Sequence, residues 1–73
     1  MEISEQDRAD LTRLALMLTE DADASYTSLH FGPMRLQQGN AEYTEAEEYL
    51  AYLQRCIALL ARIGGPDILP KDR

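Results

Sequence analysis

The sequence predicts an all-α fold, in which an antiparallel hairpin of two long helices pairs into a four-helix-bundle dimer. In both halves of the chain, apolar residues recur at intervals of three and four, as they do along one face of an α-helix. Between the halves, Gly32-Pro33 and Gly39-Asn40 are turn signals. A chain of 73 residues forms one small helical domain over residues 1–73, and domains of this size are often stabilised by oligomerisation.

The first helix is predicted over about residues 4–30. Ser4 is a candidate N-cap, and Asp7 three residues later can complete a capping box with Asp in place of the usual Glu. The polar segment 19–25 could form a loop. However, an apolar stripe continues through it in phase, which favours one continuous helix up to the Gly32-Pro33 break. This stripe consists of Leu11, Leu14, Ala15, Leu18, Ala22, Ser25, Tyr26 and Leu29.

The connector is predicted over about residues 31–40, with a short third helical turn over residues 34–38. Three of its residues are apolar and should fold back onto the helices: Phe31, Met34 and Leu36.

The second helix is predicted over about residues 41–63, followed by an extended tail over residues 64–73, in which Ile68 and Leu69 could tuck against the helices. Asn40 and Thr44 are both candidate N-caps, and Thr44 is the better one because a glutamate follows it by three residues. Glycine just after the last turn and proline just beyond, in Gly64-Gly65-Pro66, are typical of a helix end.

The second helix carries two apolar stripes, whereas a helix that faces one partner typically shows a single stripe a little over about 100° wide. One stripe is Ala46, Leu50, Leu53, Ile57 and Leu60, and the other is Tyr49, Tyr52, Cys56, Leu59 and Ile63. The first helix can cover only one of them. We therefore expect Cys56, Leu59 and Ile63 to pack against a second copy of the chain. Alternatively, the connector and the tail cover the second stripe within one chain.

The charge balance favours a protein as the partner. Thirteen acidic residues against seven basic ones give a formal net charge of −6, which disfavours direct binding to nucleic acid or to an anionic membrane. The acidic surface suits a basic protein, or it only keeps the chain soluble. Tyrosines among glutamates favour a contact with Arg or Lys of a partner, although these rings could also form the wet margin of the core. The predicted contact residues are Tyr43, Glu45, Glu48, Tyr49 and Tyr52, with Glu20, Asp21 and Asp23 as a second patch.

No catalytic, metal or cofactor site is predicted. Cys56 and His30 are the only soft metal ligands, too few for a structural zinc site. A calcium loop starting at Asp21 would need glycine and glutamate where Tyr26 and Gly32 stand. A single unpaired cysteine, no secretory leader and no long apolar run predict a cytoplasmic location.

The functional hypothesis that follows is a non-catalytic, acidic protein-binding module. In its main form the protein is an inhibitor or antagonist, of the immunity, antitoxin or phage-encoded kind, which occludes a surface on its partner. That surface could be basic and nucleic-acid-binding. The alternative is a structural or adaptor module that self-associates and has no inhibitory role.

Overall fold

The computed structural model describes residues 2–70 and shows two helices joined by a short connector. Helix α1 spans Glu5–His30 and helix α2 spans Ala41–Gly64. Two short 3-10 helices complete the chain, the connector turn Pro33–Gln37 and the tail turn Pro66–Ile68. The described residues contain no strand. The predictions of an all-α class and of a helical hairpin are therefore confirmed.

Helix α1 is a single helix that passes through the polar segment without a break. The side chain of Ser4 accepts a hydrogen bond of 3.0 Å from the backbone N–H of Asp7, as the capping box predicts. At the other end, the N–H groups of Phe31 and Gly32 both donate to the carbonyl oxygen of Thr27, at 2.8 and 2.9 Å. These bonds close the last turn and direct the chain into the connector.

Helix α2 begins at Ala41, where its start was predicted, and of the two candidate N-caps it uses Asn40 rather than Thr44. The Thr44 hydroxyl donates a long hydrogen bond of 3.4 Å to the Asn40 carbonyl oxygen. The start at Ala41 makes Tyr43 helical and brings it into the same buried cluster as Leu29 and Leu50. Burial of a large aromatic ring thus outweighs the local capping preference.

The core lies between the two helices and consists of two clusters. The connector-side cluster is built from Ala22, Leu29, Tyr43, Leu50 and Leu53, with Leu18, Met34, Ala46 and Ile57 packed against it. The tail-side cluster is built from Ala15, Leu60 and Ile68, with Leu11, Leu18 and Leu69 packed against it. The first stripe of α2 therefore faces the stripe of α1, of which Leu14 and Tyr26 are exposed, and Leu18 packs against both clusters.

The tail folds back over the end of the hairpin, where an extended segment was predicted. Gly65 adopts a positive φ of +86°, which glycine tolerates without steric cost. The turn that follows buries Ile68 against both helices, and the guanidinium of Arg8 donates a 3.0 Å hydrogen bond to the carbonyl oxygen of Gly64. Burial of an isoleucine side chain is worth about 1.5–3 kcal/mol, which explains the turn. The predicted tail residues 71–73 lie outside the described residues.

The closeness of this packing can be tested at Gly64. A Cβ atom there would lie 3.0 Å from two side-chain carbons of Ile68 and 3.1 Å from Leu11 Cδ1. In an open helix Gly→Ala stabilises by about 1 kcal/mol, whereas overpacking typically costs about 1–3 kcal/mol. We expect Gly64→Ala to lower the free energy of unfolding by roughly 1 kcal/mol in urea titrations. The cost should shrink in an Ile68→Val background, and a stabilised Gly64→Ala would contradict the crowding.

Candidate interaction face

The second apolar stripe of α2 lies on the surface. Tyr49, Tyr52, Leu59 and Ile63 are between 45% and 54% exposed, and Cys56 is partly buried. The connector and the tail do not cover this stripe, because Phe31 and Leu36 are exposed and Ile68 packs into the tail-side cluster. Within the described residues, the hairpin thus leaves one apolar side of α2 without a covering element.

Helix α1 extends this surface. Leu14 and Met17 are exposed to a similar degree, and Leu14 lines the same cavity as Ile63 of α2. We define the interaction face by seven residues with apolar surface, Leu14, Met17, Tyr49, Tyr52, Cys56, Leu59 and Ile63, together with Asp21 and Ser28, which follow Leu14 at intervals of seven on α1. Side chains of this size have total surfaces on the order of 150–200 Å², so that their exposed halves present roughly 500 Å² of largely apolar surface.

The face changes character along its length. Residues seven apart lie on the same side of a helix, since two turns take about 7.2 residues. The end near the chain termini, the aliphatic end, carries Leu14, Met17, Leu59 and Ile63. The other end, the hydroxyl end, carries Tyr49 and Tyr52 on α2 together with Asp21 and Ser28 on α1.

The predicted acidic contact residues are all exposed, but only some of them adjoin the face. Glu45 precedes Tyr52 by seven residues and continues its line, and Glu48 precedes Arg55 by seven residues along the edge. On α1, Asp21 follows Leu14 by seven residues and lies on the face. Glu20 and Asp23 are rotated away from Asp21 by about 100° and 200°, so that the predicted second patch does not form one cluster.

Tyr43 has a different place from the one predicted for it. Only 6% of its surface is exposed, and it packs in the connector-side cluster. The ring is therefore part of the core and cannot contact a partner while the hairpin is folded. Tyr49 and Tyr52 alone remain as surface tyrosines of α2.

The Tyr52 phenol is in its neutral form over the physiological pH range. The side chain of Cys56, one turn further along α2, raises the pKa of Tyr52 above its ordinary value of 10.0, chiefly because its sulfur accepts a hydrogen bond from the neutral phenol. The Arg55 guanidinium, 6.0 Å from the centre of the Tyr52 ring, acts in the opposite direction. A neutral phenol can both donate and accept a hydrogen bond across an interface.

An open cavity of about 320 Å³ adjoins the aliphatic end. Its lining combines four apolar residues with three acidic ones: Glu2, Ile3, Asp7, Asp10, Leu11, Leu14 and Ile63. Sequence reasoning missed this cavity because it depends on the start of α1 lying beside the end of α2. A lining of apolar and acidic side chains suits the aliphatic stem and cationic head of an arginine or a lysine.

The residues weighed for metal binding or catalysis lie apart from one another. The His30 ring stacks on Tyr26, with 4.3 Å between ring centroids, while Cys56 is on α2. No group of three or more metal-ligating side chains occurs among residues 2–70. In the same part of the chain, neither helix combines the length and the apolar character needed to cross a membrane.

Comparison with known proteins adds no homologue to this description. No protein family, no curated protein and no solved structure gives a significant match to the chain.

Proposed function

We propose that this protein is a non-catalytic, acidic protein-binding module that acts by covering a surface of a partner. The observation that carries the proposal is the interaction face, an apolar strip that follows both helices. A contiguous apolar patch of roughly 500 Å² is at the upper end of what monomeric proteins expose, and patches of this size are often functional. If the face stayed in contact with water, this small domain would also lack several kcal/mol of stabilisation that burial of these side chains would provide.

In the first form of this proposal the module is an inhibitor or antagonist, and the border of the face indicates its target. Glu45 and Glu48 flank the hydroxyl end, and Asp21 lies within it. A matching target surface would be apolar at its centre and would carry Arg or Lys around it. By covering such a surface, which could be one that binds nucleic acid, the module would block it. The free thiol of Cys56 is suited to a reducing compartment such as the cytoplasm.

A second candidate is a module that self-associates into a four-helix-bundle dimer. A specific observation favours it: the spacing along the face of α2 alternates between three and four residues from Tyr49 to Ile63. This is the spacing by which helices pack side by side in bundles and coiled coils. The two occupants would compete for the same residues, so that a target would have to displace the second copy.

The inhibitor form can be tested with a pair of variants matched in chemistry and exposure. Leu59 and Leu16 are 46% and 47% exposed, but only Leu59 lies on the face. The tagged wild-type protein would first be used to capture its target from cells that express this protein. The captured target would then be purified. We expect Leu59→Asp to abolish its binding and Leu16→Asp to leave it unchanged.

The role of Glu45 and Glu48, which flank the hydroxyl end, can be tested by measuring association rates with the same target. Glu45→Gln combined with Glu48→Gln should slow association several-fold at low salt and flatten its dependence on ionic strength. An association rate that is insensitive to salt and to these substitutions would contradict the electrostatic part of the proposal. Equal binding by the Leu59→Asp and Leu16→Asp variants would contradict the proposal as a whole.

A further inference from the structure

We propose that the occupant of the interaction face is a second copy of this chain, stacked with the two aliphatic ends together, so that α2 of each copy lies across α1 of the other. This inference rests on the proposed function, since it names the partner of the same face. It requires a two-fold axis parallel to the helices and gives a bundle in which all neighbouring helices are antiparallel.

Both helices carry the spacing that such a bundle needs. On α2 the buried stripe and the exposed stripe follow the same alternation of three and four residues, so that this helix is built to pack against two neighbours. On α1 the exposed line repeats the alternation with small or polar side chains beyond Met17: Leu14, Met17, Asp21, Ala24 and Ser28. A hairpin in which each helix has a second packing line fits another hairpin rather than a single helix.

The area of the face agrees with a dimer. Roughly 500 Å² from each copy gives a total of about 1,000 Å², which is the lower limit for a specific protein interface. Neighbouring polar atoms of the rim would add to it. A partner that contacted only one of the two helices would bury only part of this area, which is too small for a specific interface.

The orientation follows from the two different ends of the face. With the aliphatic ends together, Leu14 and Met17 of one copy pack on Leu59 and Ile63 of the partner subunit. With one copy turned end over end, those aliphatic side chains would instead meet tyrosines and small polar side chains. The turned arrangement would also bring Asp21 close to its own copy, and two carboxylates in a partly desolvated interface repel each other.

Charges support the same choice. Leu11 packs beside Gly64, and Arg8 donates to the Gly64 carbonyl oxygen, so that residues at equal height in the hairpin have numbers that add up to about 72 to 75. When two hairpins stack with like ends together, residues at equal height within one hairpin also lie level with each other across the two copies. Asp21 then lies beside the partner's Tyr52 and the partner's Arg55, where a carboxylate accepts hydrogen bonds from both. Arg62 lies level with both Asp10 and Arg13 of the partner subunit. Because these two residues have opposite charges, Arg62 contributes little to the choice between the two arrangements.

Self-association is tested on reduced protein by sedimentation equilibrium. We expect the wild type and Leu16→Asp to have the mass of a dimer, and Leu59→Asp to weaken the dimer by at least about 30-fold, as for an interface hot spot. Circular dichroism would show that the Leu59→Asp chain remains helical. A wild type that is monomeric throughout the measured concentrations would overturn the inference while leaving target binding, and hence the proposed function, intact.

The orientation is tested by distances between spin labels on the dimer. Single cysteines would replace the exposed residues Thr44 and Ala58, both off the face, in a Cys56→Ser background. With like ends together, each label is level with its copy, and the two sites should give similar distances. In the turned arrangement centred on Cys56, the labels would be separated along the bundle by about 36 Å at residue 44 and by about 6 Å at residue 58. A much longer distance at residue 44 would overturn the proposed stacking.

Discussion

Leu53→Ala should lower the free energy of unfolding by about 2–5 kcal/mol, the usual cost of a cavity in a packed core. Leu53 is 2% exposed and lies in the connector-side cluster, where both helices surround it. For a chain of this length the total stability is only about 4–11 kcal/mol. The variant should therefore unfold at a much lower urea concentration than the wild type, which urea titrations followed by circular dichroism would show.

A matched control is available in the connector. Leu36 is 77% exposed, so that Leu36→Ala removes the same atoms from a side chain that packs on little. We expect it to change the free energy of unfolding by no more than about 0.5 kcal/mol. Equal effects of the two substitutions would mean that Leu53 is not part of a packed core.

Tyr43→Ala should cost about 3–5 kcal/mol, in the range known for deletion of a buried aromatic ring. This substitution separates the two roles considered for Tyr43, because a residue that only contacts a partner could be truncated with little effect on unfolding. Tyr49→Ala removes the same side chain from the surface. It should lower the free energy of unfolding by less than about 1.5 kcal/mol, which is the upper limit for conservative substitutions in a core.

The two tyrosine variants should be compared in the Leu59→Asp background, so that self-association does not contribute to the measured stability. The measurement is again the urea midpoint and its slope. A Tyr43→Ala variant as stable as Tyr49→Ala would place the Tyr43 ring outside the core.

The sequence was sufficient for the hairpin because its signals are local. The spacing of apolar residues through segment 19–25 predicted one continuous α1, and Ser4 caps it as expected. The excess apolar width of α2 likewise predicted that Leu59 and Ile63 would not be covered by α1, and both are exposed.

The remaining differences arise where tertiary packing decides. Thr44 has the better capping box, yet α2 begins after Asn40, because the added turn buries Tyr43 beside Leu29. The tail was predicted to be extended because it contains prolines, with contacts of Ile68 and Leu69 to the helices as an open alternative. Ile68 is buried between the helices, and this turns the tail back. Neither site exists until the two helices have met, and no local pattern describes it.

The acidic residues show a third kind of difference. Glu20, Asp21 and Asp23 are adjacent in sequence and were treated as one patch. A helix rotates by about 100° per residue, so that a continuous α1 separates Asp21 from Glu20 and Asp23, which lie three residues apart on another side. Only Asp21 is left on the face. Continuity of the helix and a single acidic patch are therefore incompatible expectations.

Leu18 packs against both halves of the core, and this has a consequence for how the molecule opens. If one half loses its packing, Leu18 loses its neighbours on that side and the other half is weakened as well. The whole hairpin should thus melt as one cooperative unit, without a partly folded species. Amide protons at the middle of α1 and of α2 should then exchange with solvent deuterium at the same slow rate, while those of the tail turn exchange sooner.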